Sequence, residues 1–457
     1  MSGLSTLLET ARRALMAQQV EMSVTGHNIA NASTAGYSRQ RVNLVETPAL
    51  RESYGFLGTG VVSDQITRLR DSFLDRQVWN GNATMGDATS QQAILSQIEA
   101  SFNEPSSAGL SSAMTSFFNS FQDLALHPEE SSARNSVLQQ ASLLSGNFHR
   151  LHDEITTLRT SMTEDVNAKV TQINQLSSEI SDLDGQITSA RATGGSPSDL
   201  LDQRDQKIEE LSSIANISVS ENQQGSVMVS IGGVVIASRS GPQNLRVQQS
   251  PAGLQVVTEK EGVQVALAGG TLGGDLALTN STIPGYVTRL DQLAGALINR
   301  VNTVHRGGFG LGTPPPTGQD FFSGTGAADI DVSAALQADP NGVAASGTGA
   351  PGDNSVALAI VGITNEPLLQ GKSLTLSQFY NGLVTGVGTA LNNANSTSDT
   401  QQLIHTQLDN QRQAVSAVSI DEEMTNLIKY QRAFDAAARL VSTTNDMFLT
   451  ILGMKTT

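Results

Sequence analysis

The 457-residue chain has no cysteine, which excludes disulfides, thiolate metal sites and cysteine nucleophiles together. It has one tryptophan, Trp79, and only 4% aromatic residues. Large apolar anchors are therefore scarce, and the core has to rest on many Leu, Ile, Val and Ala contacts along extended elements. Basic residues are also few: 27 Lys and Arg stand against 43 Asp and Glu, a formal charge of -16. A duplex-binding protein needs a basic footprint to displace counterions, and no Lys/Arg run supplies one, so no nucleic acid is expected as a partner. No segment reaches the roughly 18 consecutive apolar residues of a membrane span, so no membrane is expected either. The N-terminus lacks the basic start and the apolar run of about 7–15 residues of a cleavable signal peptide. Arg12-Arg13 leads into a helical and soon polar sequence. The expectation is a chain that stays in the cytoplasm or leaves by a route without a cleaved signal.

What is present is helical periodicity, strongest at the two ends. Leu4, Leu8, Ala11, Leu15, Gln18, Met22, Thr25 and Ile29 follow heptad spacing. Ile420, Met424, Leu427, Gln431, Phe434, Ala438, Val441, Asn445, Phe448 and Leu452 do the same, with Asn445 as a possible register-setting seam residue. Isolated helices are marginal in water. The two ends therefore either pair with each other or belong to an ordinary helical bundle, and periodicity alone does not choose. A third run from Val137 to Ile187 carries a stutter of consecutive fours between Leu158 and Val170. If continuous, its roughly 55 residues make a helix of about 80 Å, so the molecule is elongated.

Gly194-Gly195 ends that run, and Ser196-Pro197-Ser198-Asp199 reads as a new start, with Ser196 as cap and Pro197 at the first helical position. From residue 216 the period becomes two. Gly232-Gly233 between apolar runs signals a hairpin, and further strands are expected near 245–247, 255–258 and 263–267. Another hairpin is expected from strands near 41–46 and 60–68. Helical pattern returns at 284–304, irregular loops are expected over 306–355, and helices resume near Ser377 and Gln401. The fold class expected is mainly α with inserted β: an elongated multi-domain chain. Residues 1–40 with 410–457 form a terminal coiled-coil domain, and 41–215 with 279–409 a long helical-bundle domain with a β-hairpin. Residues 216–278 form a small β domain.

Catalytic motifs fail on inspection. Gly371-Lys372-Ser373 resembles the end of a phosphate loop, but Glu366 occupies the position that needs glycine. Gln337–Gly342 has Gln where a calcium loop needs its first carboxylate. His149 and His152 have no third ligand in a motif, and no Gly-x-Ser-x-Gly elbow occurs. No enzyme activity and no cofactor or metal is expected.

The segment from Thr25 to Arg41 closes the first helix: Asn28 and Asn31 can bond nearby backbone, and Gly36 permits a positive φ that Tyr37 anchors. Its Asn28-Ile29-Ala30-Asn31 and Gly36-Tyr37-Ser38-Arg39-Gln40 closely resemble the signature of the axial proteins of the bacterial flagellum, the rod, hook and hook-associated subunits. Ser419–Met424 and Tyr430–Leu440 resemble the C-terminal signature of the same family. Asp199–Asp205 and Pro351–Ser355 look like interior segments of its hook–filament junction members.

The resemblance implies a structural subunit exported through the flagellar type III channel and built into the extracellular flagellum. Its implied partners are copies of itself in a ring or short tube, hook protein below, and a second junction protein and then the filament above. An export chaperone on the C-terminal helix is also implied. The assembly interface would comprise Leu4, Leu8, Leu15, Met22, Asn28, Asn31, Gly36 and Tyr37 with Met424, Leu427, Phe434, Val441 and Phe448. A hook or distal rod subunit, or a secreted coiled-coil effector, is the alternative; a long helical middle argues against the first and seams at both ends against the second.

Overall fold

The computed structural model describes residues 2–52, 55–102, 104, 106–222 and 224–455. The first helix, α1 (Ser2–Asn31), is followed by a ribbon of four strands, β1 (Gln40–Glu46), β2 (Leu50–Glu52), β3 (Gly55–Leu57) and β4 (Val61–Arg68). β1 pairs antiparallel with β4 and β2 with β3, so the ribbon is one long hairpin with a bulge after Asn43. Then come α2 (Ser72–Phe102), α3 (Leu110–Leu126), the long α4 (Ser131–Ala192) and α5 (Ser198–Ile214). Three antiparallel strands, β5 (Ile217–Glu221), β6 (Val227–Ile231) and β7 (Val234–Ala237), precede the hairpin of β8 (Leu245–Ser250) and β9 (Gly253–Thr258). α6 (Gly270–Ala277) runs through a π turn at Leu278–Thr282 into α7 (Ile283–Arg306). The short β10 (Phe322–Ser323), β11 (Asp331–Val332), α8 (Ala334–Ala338) and α9 (Ser355–Gly362) lead to α10 (Leu376–Ser416) and α11 (Ile420–Lys455).

α4 organises the body. Its 62 residues span about 93 Å at 1.5 Å each. Val137 through Met162 belong to one apolar core, with α2, α3, α7, α9 and the start of α10. Val166 through Ile180 belong to a second, closed by α5 and the strands β5 to β9. The stutter explains the change of partner. At 100° per residue, each step of four overshoots a turn by 40°, so three in succession swing the apolar stripe about 120° around the helix. Residues 216–278 thus share their core with α4 and α5. The scarce aromatics are concentrated rather than spread: Phe117, Phe118, Phe121, Phe321 and Phe322 form a cluster of tilted and edge-to-face rings in the first core.

Asparagines fasten loops and strands to helices. Asn174 of α4 pairs with both backbone groups of Leu245, and Asn280 in the π turn does the same for Leu254. The π turn lies just before Pro284, whose missing N–H and bulky ring cannot continue a regular α-helical ladder there. Gly232 and Gly233, with φ of 55° and 84°, make the tight β6–β7 turn.

Several sequence expectations are corrected. α5 starts at Ser198, with Pro197 at the cap position and no side chain bonding the first turn, so Ser196 is not the cap. Residues 263–267 make only a single bridge, Gln264 to Val257, because the chain turns away towards α6. The span 306–355 contains β10, β11 and α8, which bury Phe322, Val332 and Leu336. α10 is one helix, set by a Thr375–Gln378 capping box, where two were expected.

Replacing Asn280 by Ala strands the Leu254 N–H and C=O; a loss of about 1–3 kcal/mol is expected in urea unfolding. A second test concerns the Pro351–Ser355 segment, where Asp353 accepts from the Ser355 and Thr348 amides and from the Ser346 and Thr348 hydroxyls. These bonds, the Ser355 amide first, hold its carboxyl well below the usual carboxylate range. A depressed carboxylate contributes stability above its unfolded pKa, about 3.9, and loses it only as pH falls through the lower folded value. Amide protection at Gly347 and Thr348, which both donate to Asp353, should therefore survive at pH 4, decline only further into acid, and be reduced at every pH in Asp353→Ala.

Candidate assembly site

α1 and α11 pack lengthwise on one another, and the ribbon lies along α1. Gly60 sits over Thr10, and Arg13 donates to the Thr59 carbonyl, so the ribbon reaches well back towards the N-terminus. Asn28 contacts Glu423 while Glu21 lies near Lys429, so the two helices are antiparallel. The residues expected to form the seam divide. Leu4, Leu8, Leu15 and Met22 on α1, and Leu427, Phe434, Val441 and Phe448 on α11, are half-buried; Met424 is 44% exposed.

On α11 the most buried positions are Glu423, Ala437 and Thr444. With half-buried Tyr430 they form the second heptad line beside Leu427, Phe434, Val441 and Phe448. Half of the expected α11 seam is thus one residue out of place: Met424, Gln431 and Asn445 are exposed. On α1, Ala11, Ala17, Val24, Thr25 and Asn28 are buried, because helix and ribbon cover it on two flanks.

The turn out of α1 is a polar joint. Asn28, fully buried, accepts from the Gln40 amide (3.0 Å) and the Tyr37 hydroxyl (2.8 Å), and donates to the Gln40 carbonyl (2.9 Å) and Glu423 (3.1 Å). Asn31 donates to the His27 carbonyl, closing the helix end. Gly36, at φ 78°, rests on the side chain of Gln206. Tyr37 packs edge-on to His27. Burial, with Asp199, Asp202 and Glu423 nearby, pushes the Tyr37 phenol up, so it stays a proton donor.

Beyond these, the joint uses residues to which sequence reading gave no role of their own. Arg39 binds Glu423 through Nε (2.7 Å) and Glu422 through both Nη atoms (3.1 and 2.7 Å), while its amide donates to the Ser416 carbonyl. The Glu422 carboxyl is held below its usual range by Arg39. On the body side, Asp202 accepts from the Ser38 amide (3.0 Å) and from Arg68 (2.7 Å), and Asp205 from Arg68 (2.9 Å) and Arg70 (3.1 Å). Burial alone would lower the Arg70 pKa, but Asp205, Asp75 and Asp202 raise it and keep the guanidinium charged. Gln40 bonds Asp199, and Arg412 of α10 bonds Glu209 of α5. The one available signal was the spacing of Asp199, Asp202 and Asp205, which sets three carboxylates on one side of the first turns of α5.

Neither apolar core includes a described residue of α1, the ribbon or α11. A hairpin of both chain ends, carrying apolar residues on its outside and tied to a helical body by hydrogen bonds and ion pairs, is the architecture of a structural subunit. Residues 8–37 match the family model described as flagella basal body rod protein, and 410–454 the flagellar basal body rod FlgEFG protein C-terminal model. Residues 95–322 match the helical domain of flagellar hook-associated protein FlgK. Flagellar hook-associated protein 1 of Bacillus subtilis is 32% identical over 96% of this chain and 96% of its own length. The chain belongs to the flagellar hook-associated protein 1 family. The Escherichia coli relative of that name is 26% identical over 99% of this chain and 100% of its own. The fold matches the flagellar hook junction protein FlgK of Burkholderia pseudomallei with a TM-score of 0.65, at 17% identity, over 75% of this chain and 100% of that one.

Asp202→Ala removes the shared acceptor of Ser38 and Arg68. A loss of about 3 kcal/mol is expected by urea unfolding, in the range for breaking a buried pair; a neutral result would mean that Asp205 alone holds the arginines.

Proposed function

We propose that this chain is a structural subunit of the hook–filament junction, built into a ring or short tube of its own copies through the terminal hairpin. The observation that carries the reading is the apolar surface that α11 leaves uncovered. Ile420, Met424, Ile428, Leu440, Met447, Ile451 and Met454 are exposed, at both ends of a helix that already packs on α1. So many exposed large apolar residues on one helix mark a surface for another molecule. Copies related by one repeated rotation cover it in a head-to-tail ring or tube. In this reading Leu4, Leu8, Leu15 and Met22 with Leu427, Phe434, Val441 and Phe448 hold the hairpin together, and Met424 faces a neighbour. Asn28, Asn31, Gly36 and Tyr37 set the turn from hairpin to body.

Hook protein lies below such a ring, and a second junction protein and the filament above it. Before assembly the chain leaves through the flagellar type III channel without a cleaved signal peptide, with a chaperone covering the apolar stripe of its C-terminal helix. The full-length relatives carry the name of the hook-associated protein rather than of rod or hook subunits, which favours the junction over those alternatives.

Fluorescent labelling of the chain on intact flagella is expected to give one short band at the hook–filament boundary; label running along the hook would overturn the reading. Phe434→Asp and Met447→Asp should each reduce incorporation at least tenfold. Helix content measured by circular dichroism should fall only for Phe434→Asp, because Met447 is not needed inside the hairpin.

A further inference from the structure

Glu423 is an anomaly in its own seam. Its side chain is 3% exposed, at the first position of a heptad line that continues as Tyr430, Ala437 and Thr444. A buried carboxylate is costly unless paired. Here both oxygens are taken, one by Arg39 and the other by Asn28. The neighbouring line, Leu427, Phe434, Val441 and Phe448, is apolar at every step, as are Leu4, Leu8, Leu15 and Met22 opposite. Such a seam looks nearly the same after a shift of seven residues, so apolar packing by itself leaves the register open.

We infer that Glu423 is the positioning residue that fixes the register of α11 against α1. Sliding α11 until Tyr430 reaches Asn28 carries the Glu423 carboxylate away from both of its donors. The opposite shift sets Glu423 beside Glu21, a half-buried carboxylate of the same sign, and like charges at one site resist ionisation together. One glutamate thereby disfavours both one-heptad slips. Because Arg39 also holds Glu422 and, through its amide, the end of α10, the register is referred to the body and not only to α1. Register matters for the assembly reading, since a slip of one heptad displaces the exposed apolar residues of α11 by about 10 Å.

The absence of cysteine allows a direct test by disulfide mapping in whole cells. Glu21→Cys with Lys429→Cys reports the observed register, and Glu21→Cys with Ala436→Cys reports the slip that moves Tyr430 to Asn28. With Glu423 intact only the first pair should cross-link. Adding Glu423→Leu, which suits an apolar seam, should raise the yield of the second pair at least tenfold relative to the first and lower the number of flagellated cells. Exclusive cross-linking of the first pair in Glu423→Leu would overturn the inference, whether or not flagella assemble, so the outcome is separate from that of the junction reading. If Glu423→Leu forms neither cross-link, Glu423→Gln decides. It keeps the shape but turns an N–H donor towards Asn28 or Arg39, and slipped cross-links are again expected; wild-type register in Glu423→Gln would sink the idea.

Discussion

Asn28 and Glu423 touch across 395 residues of chain, and the rest of the molecule makes that contact affordable. Closing a flexible loop of that length costs about 5 kcal/mol beyond a constant, on the scaling of (3/2)RT ln n. The folded body removes most of this cost beforehand by setting residue 39 beside residue 416, where amide and carbonyl bond directly. The hairpin is therefore a short-range event once the body exists. A body that fails to bring those two points together leaves two amphipathic helices with nothing to cover them.

The body achieves this with one helix in two cores. α4 belongs to the aromatic-rich core in its first half and to the strand-covered core in its second, and the rotated stripe between Leu158 and Val170 is what permits both. α5 then folds back along the second half and presents Asp199, Asp202 and Asp205 to the joint. The interior segment that looked diagnostic of the junction members has a physical purpose: it is the acidic surface on which Ser38, Gln40, Arg68 and Arg70 are seated.

Much of this was legible in the sequence, and the gaps have identifiable causes. The long helix, its stutter, the Gly232-Gly233 turn and the ribbon strands near 41–46 and 60–68 all follow from spacing. The α11 seam was half right because its second line is Glu423, Tyr430, Ala437 and Thr444. These polar or small residues are passed over by a search for large apolar ones, which settles on Met424 one position on. α2 gave no clear period, since part of its buried face is Asp75, Asn82, Gly86 and Ser90 rather than large apolar residues. Gly86 is there because α5 and Gly270 approach so closely that a Cβ would lie 2.4 Å from the Ser213 carbonyl. The Arg68–Asp202 pair, 134 residues apart, leaves no local trace at all.

The joint also has a mechanical meaning. A continuous helix of about 93 Å that is packed into two cores resists shear between them along its whole length. Between the terminal hairpin and that beam lie the ion pairs and hydrogen bonds around Arg39, Asp202 and Arg68. Such contacts tolerate small changes of angle better than interdigitated apolar packing does, because charge attraction falls off gradually with distance. A polar joint at the end of a long packed helix is the arrangement of a strut on a pivot.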